Sequence, residues 1–398
     1  MKKKKIIFVL SIVAVFWGVG YASGIDFHGN VANSVYSYED TTSHTRVYQF
    51  VQFSFESPEI KNLSLNASLR ALTDVNETLD SEDRFKAYNL NLKFKKLFNR
   101  LDVVLGRQFL HPGTILGGLD GLYTKFYISK NINFSVYGGT EANFNSSLKI
   151  YKPEDSFVTG GLFELNRIYS SKFQFFYLQK ANENDIFWHL TGLNFQNSSI
   201  PETNIRLQTH YDLENSRLHR LLVYARHNMN KKLSFSFGFK NQYPQVYTNS
   251  FFTIFEINAY SQYKLGCSYK IANNYLLSGQ YQLVQFEDEN NANRFFATIS
   301  NSNGSIGLIY ESGYAGEQLG VIFDYAYEIT PALLASLNID YSRYKMEKVY
   351  EFENQVANAV RLSYRFLSHW SIDLEYQWLT NRFKDSDSRV LNHIRFKW

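Results

Sequence analysis

The segment richest in glycine is the first candidate for chemistry in this sequence, and it lies between Gly106 and Gly121. It contains Arg107 and Asp120, whose opposite charges could face each other at a rim or constriction. A phosphate-binding loop would continue with Lys-Ser or Lys-Thr after its last glycine and then with a helix, and neither follows here. We therefore favour a bulged hairpin that needs glycine for its turn, and we keep a rim or constriction formed by Arg107 and Asp120 as the alternative.

Two Ser-His pairs could support nucleophilic hydrolysis. They are Ser43-His44 and Ser368-His369, and each is expected in a loop or turn. Such catalysis needs a nucleophile, a base and a third group that orients the base, and the sequence assigns no third group. We interpret both pairs as ordinary turn polarity, and we predict that the chain has no catalytic site.

Metal and cofactor sites find little support in the composition. None of the nine His residues belongs to a His-x-x-x-His pair on a helix. The single cysteine, Cys267, excludes an internal disulfide framework, a cysteine-rich zinc site and the two-cysteine motif that attaches c-type haem. We therefore predict that the chain holds no metal and no cofactor.

A regularly placed set of charged side chains is the better functional signal. Each member alternates with apolar neighbours, so all should point to one face of a sheet. The set consists of Arg70, Lys93, Arg206, Asp324, Asp340, Arg361, Arg365, Asp373, Glu375 and Arg395. Charges of both signs on one wall can set an electric field across a water-filled space and influence which ions pass. The alternative is that they only solvate a polar face and form salt bridges between strands.

The alternation of polar and apolar residues identifies the elements that position these charges as β-strands. In the segments 63–71 and 372–378, every second residue is apolar and the residues between them are polar. Segments of this kind recur about every 17 residues up to the last residue, joined alternately by tight and looser connections. The tight connections share apolar residues at the same offsets, as in Tyr269, Ile271 and Tyr275. The pattern predicts about 22 antiparallel strands, within a range of about 18–22, and shows no helical period.

The first 24 residues have the order of a secretory signal peptide. Lys2 to Lys5 are followed by the apolar run from Ile6 to Gly20 and by the small residues Ala22 to Gly24. A membrane anchor is the alternative, although the run is shorter than the ~20 residues of a spanning helix. Four of the 41 basic residues and none of the 37 acidic ones lie in this leader, so the remainder is formally neutral and a nucleic-acid partner is not supported. We predict a signal peptide at 1–24 and a single domain at 25–398.

Composition and patterning favour a transmembrane barrel over a soluble β-sandwich, propeller or β-helix. The 398 residues are 44% hydrophobic and 17% aromatic, and many aromatic residues fall near strand ends, as in an interfacial girdle. The opposite face of the strands is too polar for a packed core. A sheet that closes into a cylinder satisfies both faces and pairs its backbone groups, with lipid outside and water inside. We therefore predict an all-β fold, a transmembrane antiparallel up-and-down β-barrel.

The last strand carries a resemblance to a known family. Ile394, Phe396 and Trp398 alternate with polar residues, and the sequence stops on Trp. This pattern resembles the outer-membrane porin-like barrels of Gram-negative bacteria, whose last strand ends in an aromatic residue, more usually Phe, and is read by the barrel-assembly machinery. The resemblance implies export through the periplasm, a place in the outer membrane, and contact with its lipid and lipopolysaccharide. The glycine-rich stretch that begins at Gly106 is also similar to porin-like barrels that are encoded beside multihaem cytochromes.

Three functions are compatible with such a barrel. The first is an outer-membrane channel for passive diffusion of small hydrophilic solutes or ions through a polar lumen of mixed charge. The second is the scaffold of a porin–cytochrome electron conduit, because about 22 strands would leave a wide hole that a multihaem cytochrome or another plug protein could fill. Only the loops 140–156 and 243–255 would be able to fold inward and narrow that hole. The third function is an outer-membrane hydrolase.

Overall fold

The computed structural model describes residues 26–40, 42–57, 60, 62–79, 84–110, 117–143, 149–182, 185–243, 259–272, 274–287, 291–314, 316–346, 351–382 and 384–398. The predicted signal peptide at 1–24 lies outside these residues. The described residues are mainly β-strand, and they include no helix that is long and apolar enough to cross a bilayer.

In the part of the chain that the structure describes, twenty-two antiparallel strands form one continuous sheet. They are β1 (Asp26–Glu39), β2 (Ser43–Glu56), β3 (Leu63–Asp74), β4 (Phe85–Leu97), β5 (Leu101–Leu110), β6 (Gly117–Tyr127), β7 (Ile132–Glu141), β8 (Ser156–Ile168), β9 (Ser171–Asn182), β10 (Asp185–Asn197), β11 (Thr203–Asp212), β12 (Arg217–Asn228), β13 (Leu233–Gln242), β14 (Tyr260–Ala272), β15 (Tyr275–Phe286), β16 (Ala292–Ser300), β17 (Gly304–Gly313), β18 (Gly316–Thr330), β19 (Leu333–Lys345), β20 (Glu353–Leu367), β21 (Trp370–Asn381) and β22 (Lys384–Lys397). Each strand pairs with its neighbours in the chain, and β1 also pairs with β22 over 30–37 and 390–397. This last pairing closes the sheet into a barrel and leaves no free edge. The predicted up-and-down transmembrane barrel of about 22 strands is confirmed.

The two ends of the barrel have different connections. The connection from β1 to β2 and every second one after it form the loop end, which includes the long segments 75–84, 142–155 and 243–259. The connection from β2 to β3 and every second one after it form the turn end, where β1 begins and β22 ends. The turns at 128–131 and 331–332 occur at positions that the repeated offsets predict.

The two faces of the sheet differ as the alternation predicts. Residues directly opposite each other in an antiparallel pair lie on the same face. In β13, Phe235 and Phe237 are exposed on the outer face, whereas Ser234 lies on the inner face and is paired with Ser268 of β14. The outer face therefore presents apolar side chains to lipid, and the inner face presents polar groups to the interior.

Part of the inner face departs from this pattern. On strands β5 to β10, apolar side chains of the inner face pack together and are withdrawn from solvent, and Leu119, Leu178 and Leu190 are the most deeply buried. The group consists of Leu110, Leu119, Tyr137, Val158, Leu162, Phe176, Leu178 and Leu190. The sequence predicts a polar inner face throughout, and that prediction is wrong for this sector. The barrel has a small apolar core against one side of its wall, so polar groups do not line the interior on all sides.

Candidate functional site

The inner wall is the candidate site because it brings the predicted charges to one surface. Nine of the ten charges belong to regular ladders, and their cross-strand partners place them on the inner face. These nine are Arg70, Lys93, Arg206, Asp324, Asp340, Arg361, Asp373, Glu375 and Arg395. Arg365 lies in the irregular end of β20, where its backbone N–H donates to the carbonyl of Ala332 at 2.8 Å. A pore-lining role for these side chains stays a prediction.

Two ion pairs on the inner wall join oppositely charged residues of neighbouring strands, and within each pair the two charges neutralise each other. Arg361 of β20 is directly opposite Glu375 of β21 and forms an ion pair with it. Arg294 of β16 is opposite Glu311 of β17 and is paired in the same way. Because both partners lie on adjacent strands, the simpler interpretation as inter-strand salt bridges applies to these residues. The Arg294–Glu311 pair is partly exposed on both sides, and exposed pairs contribute only about 0–1 kcal/mol each.

A group of cations on β11 to β14 differs because it has no acidic partner. We call Arg206, Arg220, Arg226, Lys240 and Lys264 the basic wall. Lys240 donates to Tyr260 Oη at 2.5 Å and lies 4.9 Å from the centre of that ring, and Arg226 donates to Ser234 Oγ at 3.3 Å. Within the described part of the chain, none of the five cations forms an ion pair with a carboxylate. Within the described residues, the positive charge of this wall is therefore uncompensated.

The basic wall borders a cavity of about 830 Å³ on the inner side of the barrel. Amide side chains lie between the cations, namely Gln208, Gln262 and Gln280. The Nε atom of Arg220 is buried without a hydrogen-bond partner. Because guanidinium, ammonium and amide groups all donate hydrogen bonds, this surface favours anions and polar acceptors over cations.

Carboxylates prevail further round the barrel. We call Asp324, Asp340 and Asp373 the acidic wall, and they lie on the inner face of β18, β19 and β21. Asp324 accepts hydrogen bonds from Asn338 and, at 3.3 Å, from Ser305 Oγ. No cation among the described residues forms an ion pair with any of the three aspartates. A cavity of about 370 Å³ borders Asp324 and Asp340.

The two walls give the interior a lateral separation of charge. The basic wall and the acidic wall are separated by strands β15 to β17. Electrostatic screening in 0.1 M salt has a length of about 10 Å, so each wall acts on ions and dipoles that pass close to it. This arrangement can sort and orient charged or dipolar solutes, and it requires no bond to be made or broken.

The sequence identified only Arg206 among the cations of the basic wall. Lys240 and Lys264 could have been found, because each alternates with aromatic or aliphatic neighbours of the outer face. Arg220 and Arg226 could not, because the inner face of β12 also carries Leu222 and Tyr224, and a register shift lies beside Arg220. The alternation of polar and apolar residues is consequently lost in this strand.

Arg107 and Asp120 form a buried, bidentate ion pair. They are opposite each other on β5 and β6, with distances of 2.7 Å from Nε to Oδ1 and 2.6 Å from Nη2 to Oδ2. Their side chains are only 6% and 5% exposed, and Arg107 also donates to the carbonyl of Ala87 at 3.2 Å. Gly106 precedes the pair with a φ of 114°, and a Cβ there would collide with the carbonyl of Leu90. The two charges therefore neutralise each other within the wall, and a rim or constriction role stays a prediction.

The structure gives the first Ser-His pair a different set of contacts. Thr42 Oγ1, rather than Ser43, lies 3.0 Å from His44 Nε2, and His44 Nδ1 lies 2.8 Å from Asp74 Oδ2. Hydroxyl, imidazole and carboxylate follow each other as in a hydrolase triad. However, Asp40 Oδ1 lies 3.3 Å from the same Nε2, and the N–H of Thr42 already donates to Asp40, so that donor is not free to hold an oxyanion. We interpret these contacts as a tie between the β1–β2 loop and the end of β3.

The second Ser-His pair and the other predicted features form no catalytic or metal site among the described residues. His369 of the second Ser-His pair packs edge-on against the ring of Phe396 at 6.4 Å. Among the residues that the structure describes, no group of three or more His, Cys, Asp or Glu side chains could hold a metal ion. The predicted inward folding of the loops 140–156 and 243–255 depends largely on 144–148 and 244–258, which lie outside the described residues.

The predicted assembly signal lies at the closure of the barrel. Ile394 and Phe396 pair with outer-face residues of β1. The backbone N–H of Trp398 donates to the carbonyl of Gly29 at 3.1 Å, and its ring lies 5.5 Å from Phe27 and 5.7 Å from Phe396. A Cβ at Gly29 would collide with the Trp398 ring, so glycine permits this close approach. Recognition of these residues by the assembly machinery stays a prediction.

No protein-family model and no curated protein matches this sequence. The structure is similar to the outer-membrane protein OpdK of Pseudomonas aeruginosa (9% identity, TM-score 0.47), to OpdL of the same species (11%, 0.46) and to OccAB4 of Acinetobacter baumannii (11%, 0.42). In each case the similarity covers 94% of this chain and 98% of the other. Because the identities and TM-scores are low, the barrel assignment depends on the strand pairing above. Nothing in these comparisons supports the narrower resemblance to barrels encoded beside multihaem cytochromes.

Proposed function

We propose that this protein is a porin-like channel of the Gram-negative outer membrane, through which small hydrophilic solutes or ions diffuse passively. The observation that supports this most directly is the charge on two sectors of the inner face, the basic wall and the acidic wall, which no ion pair among the described residues compensates. If the inner face served only to be solvated by water, neutral amides or paired ions would be sufficient to line it. Unpaired charges of opposite sign instead act on whatever crosses the interior.

The outer face supports the placement in a membrane. Its exposed side chains are apolar on strand after strand, as at Leu265 and Tyr281, and closure of the sheet leaves no unpaired edge in contact with lipid. Outer-membrane barrels have short turns on the periplasmic side and longer loops on the outside. We accordingly assign the turn end to the periplasm and the loop end to the cell exterior.

Passage would depend on the inner-face side chains alone. An ion or polar solute that leaves bulk water exchanges its hydrogen bonds for those of the wall, including the amides of Gln208 and Gln262. The basic wall lowers the free energy of anions nearby, and the acidic wall does the same for cations. No energy source and no chemical step is part of this proposal.

The experiment that tests the channel is conductance of the purified protein in planar bilayers, combined with swelling of vesicles in uncharged sugars of increasing size. We expect discrete current steps and a swelling rate that falls as the sugar grows. Protein that migrates as a folded barrel on a gel, yet gives neither current nor swelling, would contradict the proposal. Vesicles prepared without protein provide the baseline.

A scaffold barrel is the second candidate, and the number of strands favours it. Twenty-two strands, with a spacing of about 4.8 Å and a tilt of about 40°, give a cylinder on the order of 40 Å across. That width is large for a selective channel, even with the apolar core on β5 to β10, and a plug protein such as a multihaem cytochrome could fill it. Under this hypothesis the purified barrel would give very large currents without ion preference, and swelling would not depend on sugar size.

A further inference from the structure

The turn end of the barrel is divided into two sectors of different chemistry. Three turns between β4 and β13 contain cations, Arg167 precedes the turn at 169–170 by two residues, and the turn between β10 and β11 has none. We call these cations the basic sector: Arg100, Lys130, Arg167, Lys231 and Lys232. The turns from β14 to β21, at 273–274, 301–303, 331–332 and 368–369, contain only Asn, Ser, Pro, Ala and one His.

Apolar side chains project from the same four turns. Phe98 is 91% exposed and Tyr169 is 89% exposed, and Ile128 and Met229 are also open to solvent. Aromatic and Arg side chains are the residue types that contribute most to protein–protein binding when a partner covers them. The basic sector therefore combines charge with uncovered apolar surface.

The backbone holds two of these rings in an unfavourable conformation. Phe98 has a φ of 51° and Tyr169 a φ of 48°. Two-residue hairpin turns with positive φ at both positions prefer Asn-Gly, because a bulky side chain is strained there. The chain has Tyr169-Ser170 at such a turn instead. Strain that is retained at an exposed ring points to a role for that ring.

A polar cavity of about 630 Å³ lies among these turns. Its lining includes Lys130, Asn166, Arg167, Lys172, Gln196 and Asn204. Lys172 pairs with Glu164 at 3.5 Å, whereas Lys130 and Arg167 have no carboxylate partner among the residues that the structure describes. Lys172 is paired with Gln196 on the inner face of the sheet. Ser171 and Asn197, which also line the cavity, are paired on the outer face, so the cavity lies at the rim of the turn end.

We propose that the basic sector docks an acidic segment of a periplasmic protein, with carboxylates at Lys130 and Arg167 and an apolar side chain against Tyr169. The proposal rests on the assignment of the turn end to the periplasm. Lipid headgroups match the surface less well, because Lys172 and Gln196 of the cavity lie on the inner face. A small soluble anion would leave the exposed rings uncovered.

The test measures binding directly and does not depend on ion flow. Full-length protein in lipid nanodiscs is titrated against a fluorescein-labelled peptide of alternating glutamate and leucine, and fluorescence anisotropy gives the Kd. We expect saturable binding that weakens as salt is raised, because salt screens the ion pairs. The same peptide with glutamine in place of glutamate should bind at least tenfold more weakly.

Two matched variants locate the site. Lys130→Gln, Arg167→Gln and Lys231→Gln together remove three positive charges from the basic sector. Asn274→Asp, Ser302→Asp and Ser368→Asp together change the net charge by the same amount on the other sector. We expect the first triple variant to raise the Kd at least tenfold and the second to change it less than twofold. An equal loss in both variants would overturn the proposal, because it would reflect net charge alone.

A third variant tests the contribution of the Tyr169 ring to binding without impairing the folding of the barrel. Tyr169→Asn with Ser170→Gly supplies the preferred turn sequence, so the barrel should fold at least as well. Its affinity for the peptide should nevertheless fall about fivefold, because the apolar contact is lost. An unchanged Kd would overturn the proposal, and so would displacement of the peptide by phosphatidylglycerol vesicles, which would assign the surface to lipid. Single-channel conductance, measured on the same samples, reports separately on the channel.

Discussion

Replacing Arg206, Lys240 and Lys264 of the basic wall by glutamine should shift the ion preference of the channel toward cations. All three side chains lie on the inner face, and none has an acidic partner among the described residues. Each charge therefore acts on a passing ion without local compensation. Glutamine keeps a polar, hydrogen-bonding side chain at each position, so the inner face stays hydrated. The substitution therefore tests the effect of charge alone.

The size of the effect follows from Coulomb's law in screened water. An ion that passes about 6 Å from a unit charge in 0.1 M salt gains or loses about 0.4 kcal/mol. The sign is opposite for potassium and chloride, so removal of one cation should raise the potassium-to-chloride permeability ratio about fourfold. In 1 M salt the screening length falls to about 3 Å, and the same removal should change the ratio by less than about twofold.

The assay is the reversal potential of the triple variant in planar bilayers under a potassium chloride gradient, at low and at high salt. Lys264→Arg is the matched control, because it keeps the charge and should keep the potential. Asp324→Asn with Asp340→Asn should shift the potential the other way, since these residues belong to the acidic wall. An unchanged potential in the triple variant, or a shift that persists in 1 M salt, would refute the electrostatic explanation.

Three further predictions concern stability and orientation. Arg107→Met should destabilise the barrel by about 3–5 kcal/mol, because it leaves Asp120 as a buried charge without its partner; the measurement is the temperature of unfolding on an SDS gel. The double variant Arg107→Met with Asp120→Leu should recover much of this loss. Equal destabilisation in both variants would contradict a buried ion pair. Trp398→Ala should lower the folded yield after refolding into lipid vesicles, because the ring loses its aromatic contacts, and failure of Trp398→Phe to restore the yield would argue against that cause. A fluorophore on Cys267, which is exposed on the outer face of β14, should be quenched by a quencher in the acyl chains and not by iodide. Cys267→Ser with Ser268→Cys should give the reverse pattern, and identical quenching of both would show that the faces are misassigned.

Much of the fold could be predicted from the sequence because side-chain direction in a strand is a local property. Successive residues point to opposite faces, so the alternation at 63–71 and 372–378 already separates an apolar face from a polar one. The repeated offsets around the tight turns gave the strand count, which the ladders confirm. The inner-face positions of Asp324 and Arg395 followed from the same rule.

The prediction from the sequence was wrong where a strand has apolar residues on both faces. Phe176, Leu178 and Leu190 lie on the inner face, where a water-filled barrel should be polar, and they are buried because neighbouring strands supply partners for them. Arg220 was missed for the related reason that Leu222 shares its inner face on β12. Local patterning cannot separate a solvated wall from a wall that packs against other parts of the chain.

The alternation of residues by itself determined that this chain forms strands with one apolar and one polar face, because the direction of each side chain depends only on its own backbone. Only the tertiary structure decided which charges neutralise each other and which remain uncompensated. Arg107 meets Asp120 and Arg361 meets Glu375 through the register of adjacent strands, whereas the basic wall finds no acid within reach among the described residues. Register and closure bring together residues that are distant in sequence, and no local pattern encodes the distance between them.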